Sequence, residues 1–275
     1  MPDTSSLGGF LEERHHELAT AVAAWCEAEL EDLAPAEDDA AARVQARRVL
    51  ESMGAAGWLR HAVPLDGNLD LRACCLIREA IAGASPLADA VFALQCLGTQ
   101  PIFLAGAAER HRERLEAASA GRAMAAFAMT EESAGSDVGG MRTRAQRTAD
   151  GWVLDGAKRY ISNAGLADFH VVFAVTDASG ERPALSCFLV PAGTEGLEFV
   201  GAQEMSEPHP LGEIAFHDCA LPESSLIGEE GGGFALGFAT LDRLRASVAA
   251  AACGMAARAL AEARSWAAER RQFGR

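Results

Sequence analysis

The chain has 275 residues and carries 24 basic against 39 acidic side chains, which gives a formal net charge of -15. This acidic balance argues against a nucleic-acid partner, because a phosphate backbone needs a basic protein surface. Hydrophobic residues make up 49% of the chain but aromatic residues only 6%, so the core is expected to consist of small aliphatic side chains packed mainly between helices.

The first 122 residues predict an all-α domain, because apolar residues recur near the 3.6 period and no strand-like alternation interrupts them. The predicted helices are 10–30, 41–53, 71–82, 87–97, a fifth opened by Pro101, and 109–118. Pro101 is assigned to a helix start because its fixed φ suits the first helical position.

At about residue 123 the hydrophobic period changes from helical to alternating. The predicted strands are 123–129, 141–148, 152–154, 168–176, 184–190, 197–200 and 212–217. Asp150-Gly151 and Asp155-Gly156 have the chemistry of tight β turns. Residues 123–228 therefore predict a middle antiparallel β domain.

Residues 233–270 return to the helical period without a proline, and we assign 229–275 to a C-terminal helical segment. One apolar stripe follows this helix: Leu241, Leu244, Val248, Ala252, Met255 and Ala259. A stripe of this length needs partner helices, since an isolated amphipathic helix is only marginally stable. We expect either another chain to cover it or the rest of a helical bundle to be missing. The predicted fold is an α+β multidomain chain that ends in an incomplete bundle.

Seven cysteines occur without a C-x-x-C pair, and no histidine stands in ligand spacing to another. Neither pattern indicates a metal site. Residues 1–10 lack the basic and apolar regions of a signal peptide, and no stretch approaches ~18 uninterrupted apolar residues. The sequence therefore predicts a cytoplasmic protein with free thiols and no membrane span.

Residues 126–138, A-F-A-M-T-E-E-S-A-G-S-D-V, carry the most informative pattern. A predicted strand ends at Met129 and continues into a loop with several hydroxyl groups and accessible backbone N–H groups. Such a loop can bind a polar ring edge and a phosphate. A plain polar turn with a side-chain cap explains these residues equally well on physical grounds alone.

Four further segments follow in order, and together the five resemble the acyl-CoA dehydrogenase family. Residues 126–138 are similar to its flavin-binding signature, and 155–165 to its D/N-G-x-K-x-W-I-T-N-G segment. Residues 217–222, 226–234 and 269–274 resemble its F-x-D-C-x-V-P, L-L-G-x-x-G-x-G-F and E-R-x-x-F-G motifs. The resemblance extends over essentially the whole chain.

The resemblance implies FAD-dependent removal of two hydrogens from Cα and Cβ of an acyl-CoA thioester, with electrons passed to an electron-transfer flavoprotein. The implied FAD contacts are Phe127, Met129, Thr130, Gly135, Ser136, Tyr160, Ser162, Arg270 and Phe273. The implied acyl-CoA contacts are Ser136, Asp242 and Arg245. Arg270 and Phe273 would contact the FAD of a neighbouring subunit, which implies a homo- or hetero-oligomer, either a dimer or a tetramer.

The sequence departs from the family pattern at the catalytic base. Most members place the catalytic glutamate about 90 residues beyond the R-Q-F-G segment, and some place it in an L-D-x-E-R context. That context here has Leu244 at the glutamate position, and a leucine accepts no proton. The catalytic residue is therefore unknown. Three hypotheses follow: a dehydrogenase whose base lies on missing residues or a partner chain, a base-less FAD- or acyl-CoA-binding subunit, or a related oxidase.

Overall fold

The structure, a computed structural model, describes residues 8–30, 33–180 and 183–274. Residues 1–7, part of the segment predicted to lack a signal peptide, lie outside this description. The helices are α1 (Glu13–Glu29), α2 (Asp39–Ala56), α3 (Leu59–Ala62), α4 (Leu71–Ala84), α5 (Pro86–Leu104), α6 (Arg112–Ser119) and α7 (Gly233–Glu269). The strands are β1 (Ala125–Ala128), β2 (Arg144–Arg147), β3 (Gly151–Ser162), β4 (Phe169–Asp177), β5 (Ala184–Pro191), β6 (Leu197–Ala202), β7 (Leu211–Pro222) and β8 (Leu226–Ile227). This order confirms the predicted α+β class.

The chain divides into two compact units that do not follow its order. The helical unit contains the described part of residues 1–34, Asp70–Asp89 and the segment from Arg245 onward. The sheet unit contains Pro35–Leu69 and Ala90–Leu244. The domain boundaries placed after residues 122 and 228 stay predictions.

In the helical unit, α1 packs beside α4, and polar contacts join α1 to the start of α4 and α4 to α5 and α7. His15 Nε2 lies 3.0 Å from Asp70 Oδ2, while the Asp70 carboxylate also caps the first turn of α4. Farther along α4, the buried Arg78 guanidinium binds both carboxylate oxygens of Asp89 at 2.8 and 2.7 Å. It also donates to Ser247 Oγ on α7 at 3.0 Å. These contacts join segments that are far apart in sequence.

The packed face of α7 differs from the predicted apolar stripe. Ser247, Ala251 and Gly254 are buried, whereas Val248 is 57% exposed. A side chain at Gly254 would collide with the Glu79 carbonyl of α4. Small residues therefore determine the face that packs, because they let the two backbones approach closely. Leu244 of the predicted stripe is buried within this chain, so the stripe is not wholly uncovered, whereas Val248 and Met255 are exposed. The expectation that another chain or further helices cover the exposed part stays a prediction.

The sheet unit is built on an eight-stranded sheet in the order β6-β7-β3-β2-β4-β5-β8, with β1 attached to β4. The β1–β4 and β2–β4 pairs are parallel and the other pairs are antiparallel, so the expectation of a wholly antiparallel domain is corrected. Large side chains such as Trp152, Phe188 and Phe216 fill its core. The buried Gln95 amide on α5 accepts from Ala125 N–H at 2.7 Å and so ties α5 to β1.

The structure corrects two sequence predictions, a helix start at Pro101 and a turn at Asp155-Gly156. Pro101 lies inside α5 and does not open a new helix, because the surrounding residues are buried and this packing offsets the one lost hydrogen bond. Asp155-Gly156 is not a turn but a bulge within β3, opposite β7. The Asp155 carboxylate accepts from Asp218 N–H at 2.9 Å, and a Cβ at Gly156 would lie only 2.7 Å from Thr143.

Two helices are long and apolar enough to cross a membrane by length and composition. They are α5 and α7. In α5, 72% of the apolar stretch is buried within the structure, and in α7, 22% is buried. The absence of a membrane span accordingly stays a prediction. Among the described residues, no group of three or more His, Cys, Asp and Glu side chains is arranged to hold a metal ion.

Candidate functional site

Strand β1 leads into the loop that the sequence singled out. Phe127 is half-buried, and its ring lies 5.0 Å from the Phe173 ring of the paired strand β4. Met129 is buried, and Gly237 in the first turns of α7 lies against its terminal methyl group. A side chain at position 237 would collide with that methyl, so glycine permits α7 to pack on the end of β1. This packing fixes the point where the loop begins.

The loop after β1 closes on a buried carboxylate. Glu131 N–H donates to the Ala134 carbonyl at 3.0 Å, and Ala134 N–H donates back at 3.3 Å. The Glu131 side chain accepts from Arg142 N–H at 2.7 Å and from Thr143 N–H at 3.0 Å. The turn is therefore held by both its backbone and its central side chain.

Lys158 of β3 binds the same buried carboxylate. Its ammonium group is fully buried and donates to Glu131 Oε1 at 2.7 Å and to the Met129 carbonyl at 3.2 Å. Burial lowers the pKa of Lys158 to about 8, although the Glu131 carboxylate opposes that shift. Burial alone would raise the pKa of Glu131, but the adjacent ammonium and the hydrogen bonds hold it below its usual range.

The outer part of the loop, in contrast to this buried ion pair, faces solvent. Ser133, Gly135 and Ser136 are exposed, and their N–H and hydroxyl groups make no hydrogen bond with another described residue. No atom lies within 4 Å of a Cβ built on Gly135. Three unpaired N–H groups so close in sequence, at Ser133, Gly135 and Ser136, can together bind an anion such as a phosphate.

A second irregular segment of β3 lies alongside β1. Tyr160 adopts a positive φ of 56°, and its N–H donates to Gln203 Oε1 at 2.8 Å. Asn163 also has a positive φ, of 66°, and donates from Nδ2 to the Ala125 carbonyl at 2.9 Å. Lys158 binds the carbonyl that follows β1 and Asn163 binds the carbonyl at its start, so these two side chains join the second half of β3 to β1.

Two hydroxyls at this junction lack partners within the described residues. Thr130 and Ser162 are both half-buried, and neither side chain donates to or accepts from another described group. The Thr130 carbonyl, by contrast, accepts from Arg159 N–H at 2.9 Å, so its backbone is fixed. Half-buried hydroxyls on a rigid backbone are suited to binding the polar edge of a ligand.

The remaining predicted site residues lie on or after α7. Asp242 is exposed, and Leu244 is only 4% exposed, so the leucine at the family's base position is a packed side chain. Arg245, Arg270 and Phe273 belong to the helical unit and are exposed, Phe273 by 98%. The roles assigned to these residues stay predictions.

Sequence reasoning missed Glu131, Lys158 and Asn163 as parts of the site. The available signal was Lys158 itself, because it is the one lysine beside 23 arginines. A lone lysine within a strand pattern indicates a special environment more than a composition bias.

Comparison with known proteins identifies the class. The acyl-CoA dehydrogenase N-terminal domain matches residues 12–122, its middle domain 126–219 and its C-terminal domain 231–275. The probable acyl-CoA dehydrogenase FadE25 of Mycobacterium tuberculosis is 36% identical over 270 residues, which cover 96% of this chain and 69% of the relative.

Two solved structures show the same fold. A structure described as an electron transferring flavoprotein of Acidaminococcus fermentans has a TM-score of 0.87 at 31% identity, covering 96% of this chain and 71% of that chain. Butyryl-CoA dehydrogenase from Megasphaera elsdenii has a TM-score of 0.84 at 27% identity, with coverages of 96% and 71%. The chain belongs to the acyl-CoA dehydrogenase family, whose members are FAD-dependent oxidoreductases acting on acyl-CoA.

The described residues fit a flavin cofactor. The unpartnered hydroxyls of Thr130 and Ser162 suit the polar edge of an isoalloxazine ring, while the open N–H groups of Ser133, Gly135 and Ser136 suit the phosphates of FAD. When bound, FAD supplies the oxidising chemistry of the family by accepting the hydride equivalent from substrate.

Proposed function

We propose that the chain binds FAD at the β1–β3 junction and acts in the α,β-dehydrogenation of an acyl-CoA thioester, with an electron-transfer flavoprotein as electron acceptor. The observation that carries this proposal is the presence of two unpartnered hydroxyls, Thr130 after β1 and Ser162 at the end of β3, together with the open N–H groups of the anchored loop that follows Thr130. Family membership supports the reaction class.

The residues have separate roles in this proposal. Thr130 and Ser162 bind the polar edge of the flavin ring, whereas Phe127, Met129 and Tyr160 flank the ring and exclude water. Gly135 and Ser136 bind the flavin phosphates, and Ser136 also contacts acyl-CoA. Holding flavin and thioester in one orientation contributes to the rate by removing the entropy cost of their encounter.

Substrate binding extends to α7 in this proposal, where Asp242 and Arg245 bind the CoA end of the thioester. Arg270 and Phe273 contact the FAD of a neighbouring subunit, so the working protein is a dimer or a tetramer, in the cytoplasm. Light scattering of the purified protein, with and without FAD, measures the oligomeric state. An FAD-loaded monomer would contradict the subunit-bridging role of Arg270.

The proton at Cα needs a carboxylate within hydrogen-bond reach. Leu244, the residue at one family position for that base, is buried and apolar. We therefore place the base outside the described residues, on further residues or a partner chain. The same observation favours a second candidate function, a base-less subunit that binds FAD and acyl-CoA without dehydrogenating it.

Anaerobic addition of butyryl-CoA to the FAD-loaded protein, purified from its native source together with any partner chain, tests both candidates. Bleaching of the visible flavin absorbance supports the dehydrogenase, whereas flavin that stays oxidised while butyryl-CoA binds supports the base-less subunit. A chain that retains no FAD after dialysis contradicts both. A Leu244→Glu variant is the matched comparison, since it returns a carboxylate to one family position.

A further inference from the structure

The ion pair between Lys158 and Glu131 lies beneath the loop to which we assign FAD. We infer that these two side chains are positioning residues, which hold the end of β1 and the 130–136 loop in the shape that presents Thr130 and the loop N–H groups to the flavin. This inference rests on the proposed function, and it assigns the affinity for FAD to two residues that do not themselves contact the cofactor.

The contacts show how much backbone the pair controls. Lys158 Nζ binds the Met129 carbonyl at 3.2 Å, directly before Thr130, and Glu131 Oε1 at 2.7 Å, directly after it. Glu131 in turn accepts from the N–H groups of Arg142 and Thr143 at 2.7 and 3.0 Å. Thr130 thus lies between two residues bound by one ammonium group, and the far side of the loop is bound to the approach to β2.

The burial of the pair argues against a role in stability alone. Lys158 is fully buried and Glu131 nearly so. Well-packed apolar residues commonly replace a buried ion pair without loss of stability, so its presence needs another explanation. The chain uses arginine at every basic position except this one. An ammonium group is compact and has three donors, which lets Lys158 bind a carbonyl and a carboxylate at once.

A surface cleft lies next to the buried pair. A cleft of about 250 Å³ is lined by Glu131, Lys158, Arg159, Ser133 and Glu213, among other residues. The ion pair and its hydrogen bonds hold the loop from beneath, next to this cleft. We therefore expect removal of the ammonium group to change the conformation of the 130–136 loop more than the conformation of the sheet.

The test compares Lys158→Met with Arg78→Met, which breaks the buried ion pair of the helical unit. Each purified variant is titrated with FAD by flavin fluorescence, and its melting temperature and bound-flavin absorption spectrum are recorded. We expect Lys158→Met to raise the Kd for FAD by about tenfold or more and to shift the visible spectrum of the bound flavin. Arg78→Met should lower the melting temperature at least as much, with the Kd within about twofold of wild type.

A double variant keeps the test decisive if Lys158→Met does not fold. Lys158→Met with Glu131→Gln removes both charges, while the oxygen of the new side-chain amide can still accept from Arg142 and Thr143 N–H. We expect it to fold and to retain the raised Kd, because the Met129 carbonyl has lost its donor. A wild-type Kd in either Lys158 variant, or an equal rise in Arg78→Met, would overturn the inference. Wild-type protein that binds no FAD would instead overturn the proposed function.

Discussion

A buried ion pair lies in each compact unit, and the two pairs differ in what surrounds them. Arg78 and Asp89 join helices of the helical unit, and Ser247 of α7 completes their contacts. Lys158 and Glu131 join a strand to a loop whose outer N–H groups have no partner in the described residues. The same kind of interaction therefore fixes helix packing in one unit and, in the other, the shape of the loop to which we assign FAD.

The largest expected effect is the loss of the helical pair. Arg78→Met leaves the Asp89 carboxylate buried without its cation, and we expect the free energy of unfolding to fall by about 3–5 kcal/mol. Urea unfolding followed by circular dichroism measures this loss. The control is Arg258→Met, which removes an exposed pair with Glu262 on α7 and should cost at most about 0.5 kcal/mol. Equal losses in both variants would show that the buried pair is not a stability determinant.

His170 extends the comparison to the sheet unit, because it is a buried titratable group whose protonated form burial disfavours. Burial lowers the pKa of His170 from 6.5 to about 4. The unfolded chain therefore binds the proton first as the pH falls, so stability that is present above pH 6.5 decreases as the pH drops toward 4. The loss should be on the order of 3 kcal/mol.

Replacement of His170 by leucine should make this part of the pH dependence flat. Unfolding free energies measured from pH 7 to pH 4 in wild type, His170→Leu and the exposed-site control His217→Gln give the comparison. We expect the control to follow wild type. A His170→Leu protein with the wild-type acid dependence would assign the effect to other groups.

The effect of the site hydroxyls is smaller and should be confined to the ligand. Thr130→Val and Ser162→Ala each remove a hydroxyl that we assign to the flavin ring, and each should weaken FAD binding by about 1–3 kcal/mol. Equilibrium titration measures the Kd, while thermal unfolding without FAD should change little. Thr20→Val, at an exposed position of α1, is the control. Full flavin occupancy of both site variants after dialysis would contradict the assignment of the loop.

Local patterns in the sequence predicted much of the fold, because helix periodicity and turn residues act over short distances. The helices α1, α2, α4 and α7 begin and end within a few residues of their predicted bounds. Long-range packing decided the rest. Pro101 continues a helix because that helix is buried, and α7 packs through Gly254 because another backbone lies against it.

The candidate site likewise has a part that local motifs predict and a part that only long-range packing brings together. Thr130 and Ser162 are predicted as site residues because their motifs are local. The contact between Glu131 and Lys158 was missed because 27 residues separate the two side chains, and only the pairing of distant strands brings them together. A pattern read along one segment holds no information on such a contact.

Amide hydrogen exchange with and without FAD is the most direct test that the anchored loop is the flavin site. We expect FAD to slow exchange at Ser133, Gly135 and Ser136 by about tenfold or more, since their open N–H groups would then be bound to phosphate. The exposed turn at residues 65–68 should be unchanged. Saturating FAD binding with no change in exchange at Ser133, Gly135 and Ser136 would contradict the account.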